Sequence, residues 1–482
     1  MNNENTHRRG IFSSFVWKFG ERIAAQLVST IVSIILARIL CPEDYGIIAL
    51  VSILINICNA FVAGGLGNAL IQKNDADETD FSTVFWASLA LSVALFFAIF
   101  ALAEPIAAIY KNAQLVWVLR IMAFRIPLAA INSVQQSYIS KKMQFRKFFY
   151  ATLIGTIASA VVGVAMALSG YGVWALVGQY LTNSLIDTLV LFIIGWRPKL
   201  LFSFSKLKNL LPFGMKIMGT VLLDSIFNEI RSIVISKKYS TTDLAIYENG
   251  KKYPNLIVTN VNVSIGSVIF PALSNNQADR EVLKSIMKKA IRTTAFILSP
   301  LLLGFMAVSD RFVSVVLTDK WSGSVPYIYI SSIMCLFYPI HTINTQALNA
   351  IGDSGKSLKL EIIKKTINIA ILIFSMSYGV IGIALGGMFV SLISTFINAF
   401  YAKKEFDYSF FAQLKDMANS LIISSIMYVC VFLFDTFVPI NSLVLLILDI
   451  ALGAFVYCSL AIIFKVPELR YLLQKAKSII KK

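Results

Sequence analysis

Long apolar runs alternate with short polar stretches along the whole chain. The runs fall at about 12–40, 46–70, 82–103, 114–138, 148–168 and 172–195. Six more follow at about 210–236, 244–272, 291–309, 322–350, 358–377 and 379–401, and a last pair at 418–437 and 442–464. Each is long enough for the roughly 20 residues that cross the hydrocarbon of a bilayer. Helices satisfy their own backbone groups in lipid, so the pattern predicts an all-α integral membrane protein of about 14 transmembrane helices.

Several runs are polar on one side. Steps of three and four residues place Lys18, Arg22, Gln26, Ser29 and Ser33 on one face of the first helix, with Glu21 beside them. In the seventh, Lys216, Thr220, Asp224, Asn228 and Arg231 descend one side. In the eighth, Glu248, Lys252, Asn255, Thr259, Asn262 and Gly266 follow close to the helical period, and the adjacent Lys251 points elsewhere. Asn56 and Asn59 share a face of the second helix. In the fourth, Arg125, Ala129, Asn132 and Gln136 share one side, and Pro127 is expected to kink the helix. Asp187 lies inside the sixth. A charge facing lipid is costly, so these faces must turn toward protein or water. Two uses compete: salt bridges that only hold a bundle together, such as Lys18 with Glu21, and a wet path for a substrate.

Composition agrees with the pattern. Hydrophobic residues make up 57% of the 482 and charged ones 14%, which a soluble domain does not show. The net charge of +17 sits mostly in short loops between apolar runs, and no nucleic-acid-binding module is visible. With the N-terminus in the cytoplasm, 29 Lys and Arg fall in inner loops and tails against 6 outside. That asymmetry predicts a multi-pass membrane protein with both termini cytoplasmic. The acidic loop 73–80, with Asp75, Asp77, Glu78 and Asp80, departs from it. Arg8-Arg9 before an apolar run looks like a signal peptide, but the run is too long and too polar on one face, so a retained first span is expected. Five scattered cysteines and two histidines predict no disulfide framework, metal site or cofactor.

Weak internal echoes divide the chain. Gly170-Tyr171-Gly172-Val173 opens the sixth helix, and Ser377-Tyr378-Gly379-Val380 opens the twelfth 207 residues later. Phe19-Gly20 is echoed by Phe213-Gly214. The echoes predict two six-helix lobes in parallel repeat, 1–200 and 201–405, followed by two further helices and a basic tail over 406–482. Three motifs look like chemistry and lack its context. Residues 350–357 approach a P-loop but lack its first glycine and its sheet. Asp75-Ala76-Asp77 has no sugar-nucleotide domain around it. His341 reads as a satisfied bundle histidine more readily than as a pH sensor.

The Tyr-Gly-Val openings join Cys41-Pro42-Glu43-Asp44-Tyr45-Gly46, Gly67-Asn68-Ala69-Leu70-Ile71-Gln72 and Trp196-Arg197-Pro198. Together, in this order, they resemble the Wzx-type polysaccharide flippases, of the colanic-acid-exporter kind, within the multidrug/oligosaccharidyl-lipid/polysaccharide flippase superfamily. The resemblance covers essentially the whole chain. It implies two lobes around a central cavity that opens alternately to each side. The implied activity is flipping of an undecaprenyl-diphosphate-linked oligosaccharide across the lipid bilayer, driven by H+ or Na+, alongside polysaccharide polymerase machinery. No enzymatic step is implied. Matching cavity cations here are Arg22, Lys216 and Lys252, with Lys18, Lys251 and Arg125 as further candidates. Asn56, Asn59, Asn255 and Asn262 would meet the sugars. Asp224, Asp187 and Glu21 are the carboxylates available for coupling. The need for cations follows independently, because a diphosphate in a low-dielectric slab requires charge-assisted donors.

Three rivals stay open. A lipid II flippase uses the same diphosphate logic. A cation-coupled multidrug exporter of the same superfamily should have an acidic cavity, which the basic faces oppose. A membrane glycan polymerase or glycosyltransferase usually carries its catalytic groups in a large outer loop, and the outer loops here are short.

Overall fold

The structure, a computed structural model, describes residues 24–73, 75–277, 279–351, 354–438 and 441–480. Among these there is helix and no strand. The first helices are α1 (Ala24–Ile39), α2 (Pro42–Ala63), α3 (Leu66–Gln72), α4 (Glu78–Ile109), α5 (Gln114–Met122) and α6 (Arg125–Lys141). Then come α7 (Phe145–Leu168), α8 (Val173–Ile194), α9 (Phe204–Lys238), α10 (Thr241–Ser274), α11 (Arg280–Ala307) and the short α12 (Ser309–Phe312). The chain continues with α13 (Val325–Leu336), α14 (Tyr338–Ala350), α15 (Ser354–Ser375), α16 (Gly379–Phe406), α17 (Phe410–Phe437), α18 (Ser442–Ile463) and α19 (Pro467–Ile480).

Ten helices among the described residues are long and apolar enough to cross a membrane, or eleven if the bent pair 319–336 and α14 is one span. The fourteen apolar runs therefore do not all become qualifying spans. The described part of α1 is too short. Helix α10 is long but carries Glu248, Lys251, Lys252, Asn255, Asn260 and Asn262. Helix α15 carries Lys359, Glu361, Lys364 and Lys365 within its first half. The fourth span breaks at Ala123–Phe124, one turn before Pro127, whose ring cannot bond to the Ala123 carbonyl and crowds it, as the sequence led one to expect.

The family-like stretches are local fold devices. Pro42 opens α2, and Asp44 Oδ2 accepts from the Cys41 N–H at 3.3 Å and from its thiol at 3.0 Å. A Cβ on Gly46 would stand 1.9 Å from the Thr241 carbonyl oxygen, so only glycine lets α2 and the start of α10 approach. The repeated helix openings share a backbone conformation: φ is +55° at Gly172 before α8 and +82° at Gly379 at the start of α16. L-residues disfavour that region, which explains why the glycine recurs.

The acidic loop 73–80 is an ion-pair cluster rather than a charge anomaly. Asp77 caps α4, accepting from the Asp80 N–H at 2.9 Å. Its carboxylate lies 2.5 Å from Lys206, Glu78 lies 2.6 Å from Lys199, and Asp80 lies 2.8 Å from Lys73. The Lys206 contact and the Asp80 N–H hold the Asp77 carboxyl down at about 2. The linker 195–203 is laced to α4 as well: Trp86 Nε1 donates to the Lys199 carbonyl at 2.9 Å, and the Ser203 N–H donates to Thr83 Oγ1 at 3.1 Å.

The chain forms two compact units, Met1–Ala245 and Ile246–Lys482. In the first, α7 and α8 pair along their length, and α9 packs on α2 and α3. Leu70, Phe81, Phe85, Val134, Trp196 and Leu210 form one of its buried clusters. In the second, α11 lies along α17, α16 packs on α13, α14 and α15, and Leu283, Met287, Ile291, Ile343, Ala399 and Met417 are buried together.

Candidate functional site in the membrane helices

The first unit holds a polar cleft where the second span breaks. Helix α2 stops at Ala63 and α3 restarts at Leu66, which brings Asn59, Gly67 and Asn68 opposite α6. With Asn132, Ser133, Gln136 and Ser137 of α6 they line a cavity of ≈ 430 Å³. Among the described residues no charged side chain lines it. Asn132 Nδ2 donates to Asp187 Oδ2 at 2.6 Å, and its Oδ1 accepts from Gln136 Nε2 at 3.4 Å. Asp187 therefore sits behind the cleft and orients the amide. Its second oxygen, Oδ1, is buried with no hydrogen-bond donor, as is Asn59 Oδ1. Helix α7 meets α8 closely at this carboxylate, since a Cβ on Gly155 would lie 3.4 Å from the Asp187 Cβ. A second cavity, of ≈ 320 Å³, lies between α1, α7 and α8 and is lined by Gln26, Ser29, Thr156, Ser159, Gln179 and Asn183, among others.

The candidate cations divide into paired and unpaired. Lys251 lies 2.9 Å from Glu248 and 4.7 Å from the Tyr247 ring centroid, so its charge is answered on its own helix. The next residue, Lys252, is half-buried and lies 5.6 Å from the Tyr253 ring centroid. Among the described residues Lys252 makes no ion pair. Lys216 is exposed on α9 and likewise makes none among the described residues. Arg125 begins α6, donates to Ser184 Oγ at 3.2 Å and lies 5.0 Å from the Tyr180 ring centroid. It is tied to α8 by a hydroxyl and a ring, not by a carboxylate. Lys18, Glu21 and Arg22 lie outside the described residues.

The remaining candidates scatter. Asn56 is exposed on α2 and does not line the cleft that Asn59 lines. Asn255 is half-buried and accepts from the Cys335 thiol at 3.8 Å. Asn262 is half-buried. Asp224 is exposed. His341 is engaged: its Nδ1 lies 2.9 Å from Asn398 Nδ2. Among the described residues no group of three His, Cys, Asp or Glu could hold a metal ion. Sequence reasoning placed Asn132 and Gln136 on the right face but did not count them as site residues. Asn68 entered it only within a family-like stretch and comes opposite α6 because the second span breaks, and Ser137, one turn after Ser133 on α6, was not counted.

Comparison with known proteins places the chain. Residues 35–326 match the family described as "Polysaccharide biosynthesis protein". The succinoglycan biosynthesis transport protein ExoT of Rhizobium meliloti is 27% identical over 293 residues, 61% of this chain and 59% of that one. The lipopolysaccharide biosynthesis protein WzxC of Escherichia coli is 24% identical over 376 residues, 76% of this chain and 75% of its own. The teichuronic acid biosynthesis protein TuaB of Bacillus subtilis is 25% identical over 60% of each. Matches to the first of these therefore span less than two thirds of that relative's length. The fold is shared with solved transporters. The lipid II flippase MurJ superimposes with a TM-score of 0.75 over 94% of this chain and 98% of that one at 17% identity. A multidrug resistance MATE transporter of the MOP superfamily gives 0.62 over 79% and 94% at 16% identity. With more than half its length matched, this chain is a member of the polysaccharide biosynthesis protein family and has the MurJ- and MATE-like transporter fold.

Proposed function

We propose that the protein flips an undecaprenyl-diphosphate-linked oligosaccharide from the inner to the outer leaflet of the bacterial plasma membrane, for surface polysaccharide assembly. Alternating access moves the head group, and an H+ or Na+ gradient drives it. Relatives named for succinoglycan, lipopolysaccharide and teichuronic acid biosynthesis support a glycan cargo. The observation that carries the reading is the pair of helical lysines, Lys216 and Lys252, that make no ion pair among the described residues. Structural lysines inside membrane helices are normally paired, as Lys251 is with Glu248. A diphosphate supplies the missing anion. In this reading Lys216, Lys252 and Arg22 hold it in turn, and the tail stays in lipid. Asp187, Asp224 and Glu21 are the carboxylates through which an ion couples.

The test is to delete the gene and identify the lipid-linked glycan that accumulates on the inner leaflet. Accumulation of an undecaprenyl-diphosphate oligosaccharide, cleared by the wild-type gene, is the expected result. No change in any lipid-linked glycan overturns the reading. Coupling is checked separately by export with and without a proton gradient in Asp224→Asn and Asp187→Asn. Full, equally gradient-dependent export in both removes these carboxylates from the mechanism.

A further inference from the structure

A second charged site lies in the Ile246–Lys482 unit, away from the residues discussed above. Helix α11 changes character at one point. Lys284, Lys288, Lys289 and Arg292 crowd its first half, and from Thr293 to Ala307 no residue is charged. Its neighbour α17 does the same, with Lys415 and Asp416 followed by an uncharged stretch to Leu433. The change from charged to apolar marks where each helix enters the hydrocarbon.

At that level lies α19. Its 14 residues rise roughly 21 Å, short of the ~30 Å hydrocarbon, and it follows the span α18 after a turn at Lys465, where φ is +50°. One face is docked: Leu469 and Leu472 pack on the cluster of Phe296, Ile423, Met427 and Val466. Lys289 Nζ lies 4.0 Å from the Tyr471 ring centroid. Between α11 and α19 a cleft of ≈ 260 Å³ remains, lined by Ser285, Lys288, Lys289, Arg292, Thr293 and Tyr471 together with Pro467 and Glu468.

The charges in this cleft are layered. Asp416 and Glu468 lie beneath, with side chains 9% and 13% exposed. Lys288 and Arg292 stand above them, 50% and 37% exposed, at 3.6 Å and 3.0 Å from Asp416. Arg292 also reaches Glu468 at 3.9 Å, and Tyr408 donates to the other Asp416 oxygen at 2.8 Å. Lys289 makes no ion pair among the described residues. The acids thus fix the cations from below, and the outward surface is cationic, with the hydroxyls of Ser285, Thr293 and Tyr471 beside it. Beside the turn into α19, Ile462, Ile463 and Phe464 are exposed apolar side chains.

We propose that this cleft binds the phosphate headgroup of an anionic phospholipid, with α19 as its rim and the apolar end of α18 alongside the acyl chains. The geometry has what such a site requires: surplus cations at the hydrocarbon boundary, hydroxyl donors, and apolar surface next to them. The site is independent of the cargo, so its test does not involve transport.

The experiment reconstitutes the purified full chain in nanodiscs of phosphatidylcholine with phosphatidylglycerol, then counts lipids retained after gentle extraction by native mass spectrometry. The wild type should retain phosphatidylglycerol in preference to phosphatidylcholine. Lys289→Gln should lower that retention about fivefold, the effect of one basic residue at a membrane surface, and Lys289→Arg should keep it. Glutamine at 289 leaves the Asp416 and Glu468 pairs intact; monodisperse elution confirms the fold. As a second variant, Ser285→Asp places an anion at an exposed position on the rim and should also expel the lipid. Equal retention of the two lipids by wild type overturns the proposal, as does unchanged phosphatidylglycerol in both Lys289→Gln and Ser285→Asp. Displacement by millimolar inorganic phosphate as readily as by phosphatidylglycerol would identify a free-phosphate site and equally overturn it.

Discussion

Two polar clusters, one in each compact unit, close their hydrogen bonds to different extents. In the first, the network of Asn59, Asn132 and Asp187 stops short: two buried oxygens have no donor, and the cleft beside them is lined by amides and hydroxyls. In the second, the groups around His341 answer one another. Asn398 Nδ2 lies 2.9 Å from His341 Nδ1 and donates to Thr345 Oγ1 at 3.2 Å. Nearby, Asn344 Nδ2 donates to Gln413 Oε1 at 2.9 Å and Gln413 Nε2 donates to the Tyr408 carbonyl at 2.9 Å, while Asn344 Oδ1 has no donor. A buried acceptor left without a donor costs free energy, so a network that closes cements helices and one that stays open awaits a partner. The same contrast holds among cations: Lys251 is closed by Glu248, and Lys252 is not.

That contrast predicts its largest effect at the open cations. Under the proposed function, Lys216→Ala and Lys252→Ala should each slow flipping by roughly ten- to a hundredfold, the loss of one charge-assisted contact of about 1.5–3 kcal/mol in the rate-limiting state, and Arg22→Ala, outside the described residues, should do the same if it too holds the diphosphate. Lys251→Ala should stay within about fivefold, because a surface-like pair is worth about 1 kcal/mol or less. Complementation of a flippase deletion, paired with membrane abundance of each variant, reads the difference. Equal effects at 251 and 252 would break the comparison. Arg22→Lys should fall between wild type and alanine, because a point charge replaces a planar fork.

Next come the amides. Asn132→Leu should reduce transport at normal abundance, since it removes donors from the open cleft and leaves Asp187 without its orienting bond. Asn398→Leu should instead reduce abundance or thermal stability, by about 1–3 kcal/mol for the unsatisfied groups it leaves. If both variants lose abundance and neither loses specific activity, the first network is structural too.

Much of this was legible in the chain, and the omissions have physical causes. Helical spans follow from run length, so the class of fold and most element positions could be read directly. The break of the second span had a local signal, the Gly64-Gly65 pair where α2 hands over to α3, which run length alone passes over. Spacing put Asn132 and Gln136 with Arg125, but only the break brings Asn68 opposite them. For the lysine pair, Glu248 is three residues from Lys251 and four from Lys252; both spacings permit a pair, and only geometry selects the first. The acidic loop was opaque for another reason. Its partners Lys199 and Lys206 lie more than a hundred residues away.

The repeat offers a smaller contrast, between matching glycines of the two units. Both Gly172 and Gly379 have positive φ, so alanine at either should cost about 1–2 kcal/mol for the left-handed backbone. At Gly379 nothing lies within 4 Å of the added Cβ. At Gly172 the Cβ would meet Asp44 Oδ1 at 3.3 Å, and Asp44 caps α2. Gly172→Ala should therefore melt below Gly379→Ala in detergent, and equal melting points would show that the capping carboxylate gives way freely.

The smallest effect separates the interior of the first unit from its rim. Asp77 both caps α4 and pairs with Lys206, and its carboxyl is held at about 2, below the ordinary value near 3.8, first by Lys206 and then by the Asp80 N–H. A carboxyl lowered in the folded state adds stability that is complete above its unfolded value and is lost as pH falls through the folded one. Asp77→Asn keeps a side chain that caps almost as well and removes only the charge. Near pH 7 the variant should melt slightly lower than wild type, by the modest worth of an exposed pair, and added salt should narrow the gap. As pH falls from about 4 toward 2 the two melting curves should converge. A gap that widens toward low pH, or one indifferent to salt, would mean that the cap, and not the ion pair with Lys206, is what Asp77 contributes to this end of α4.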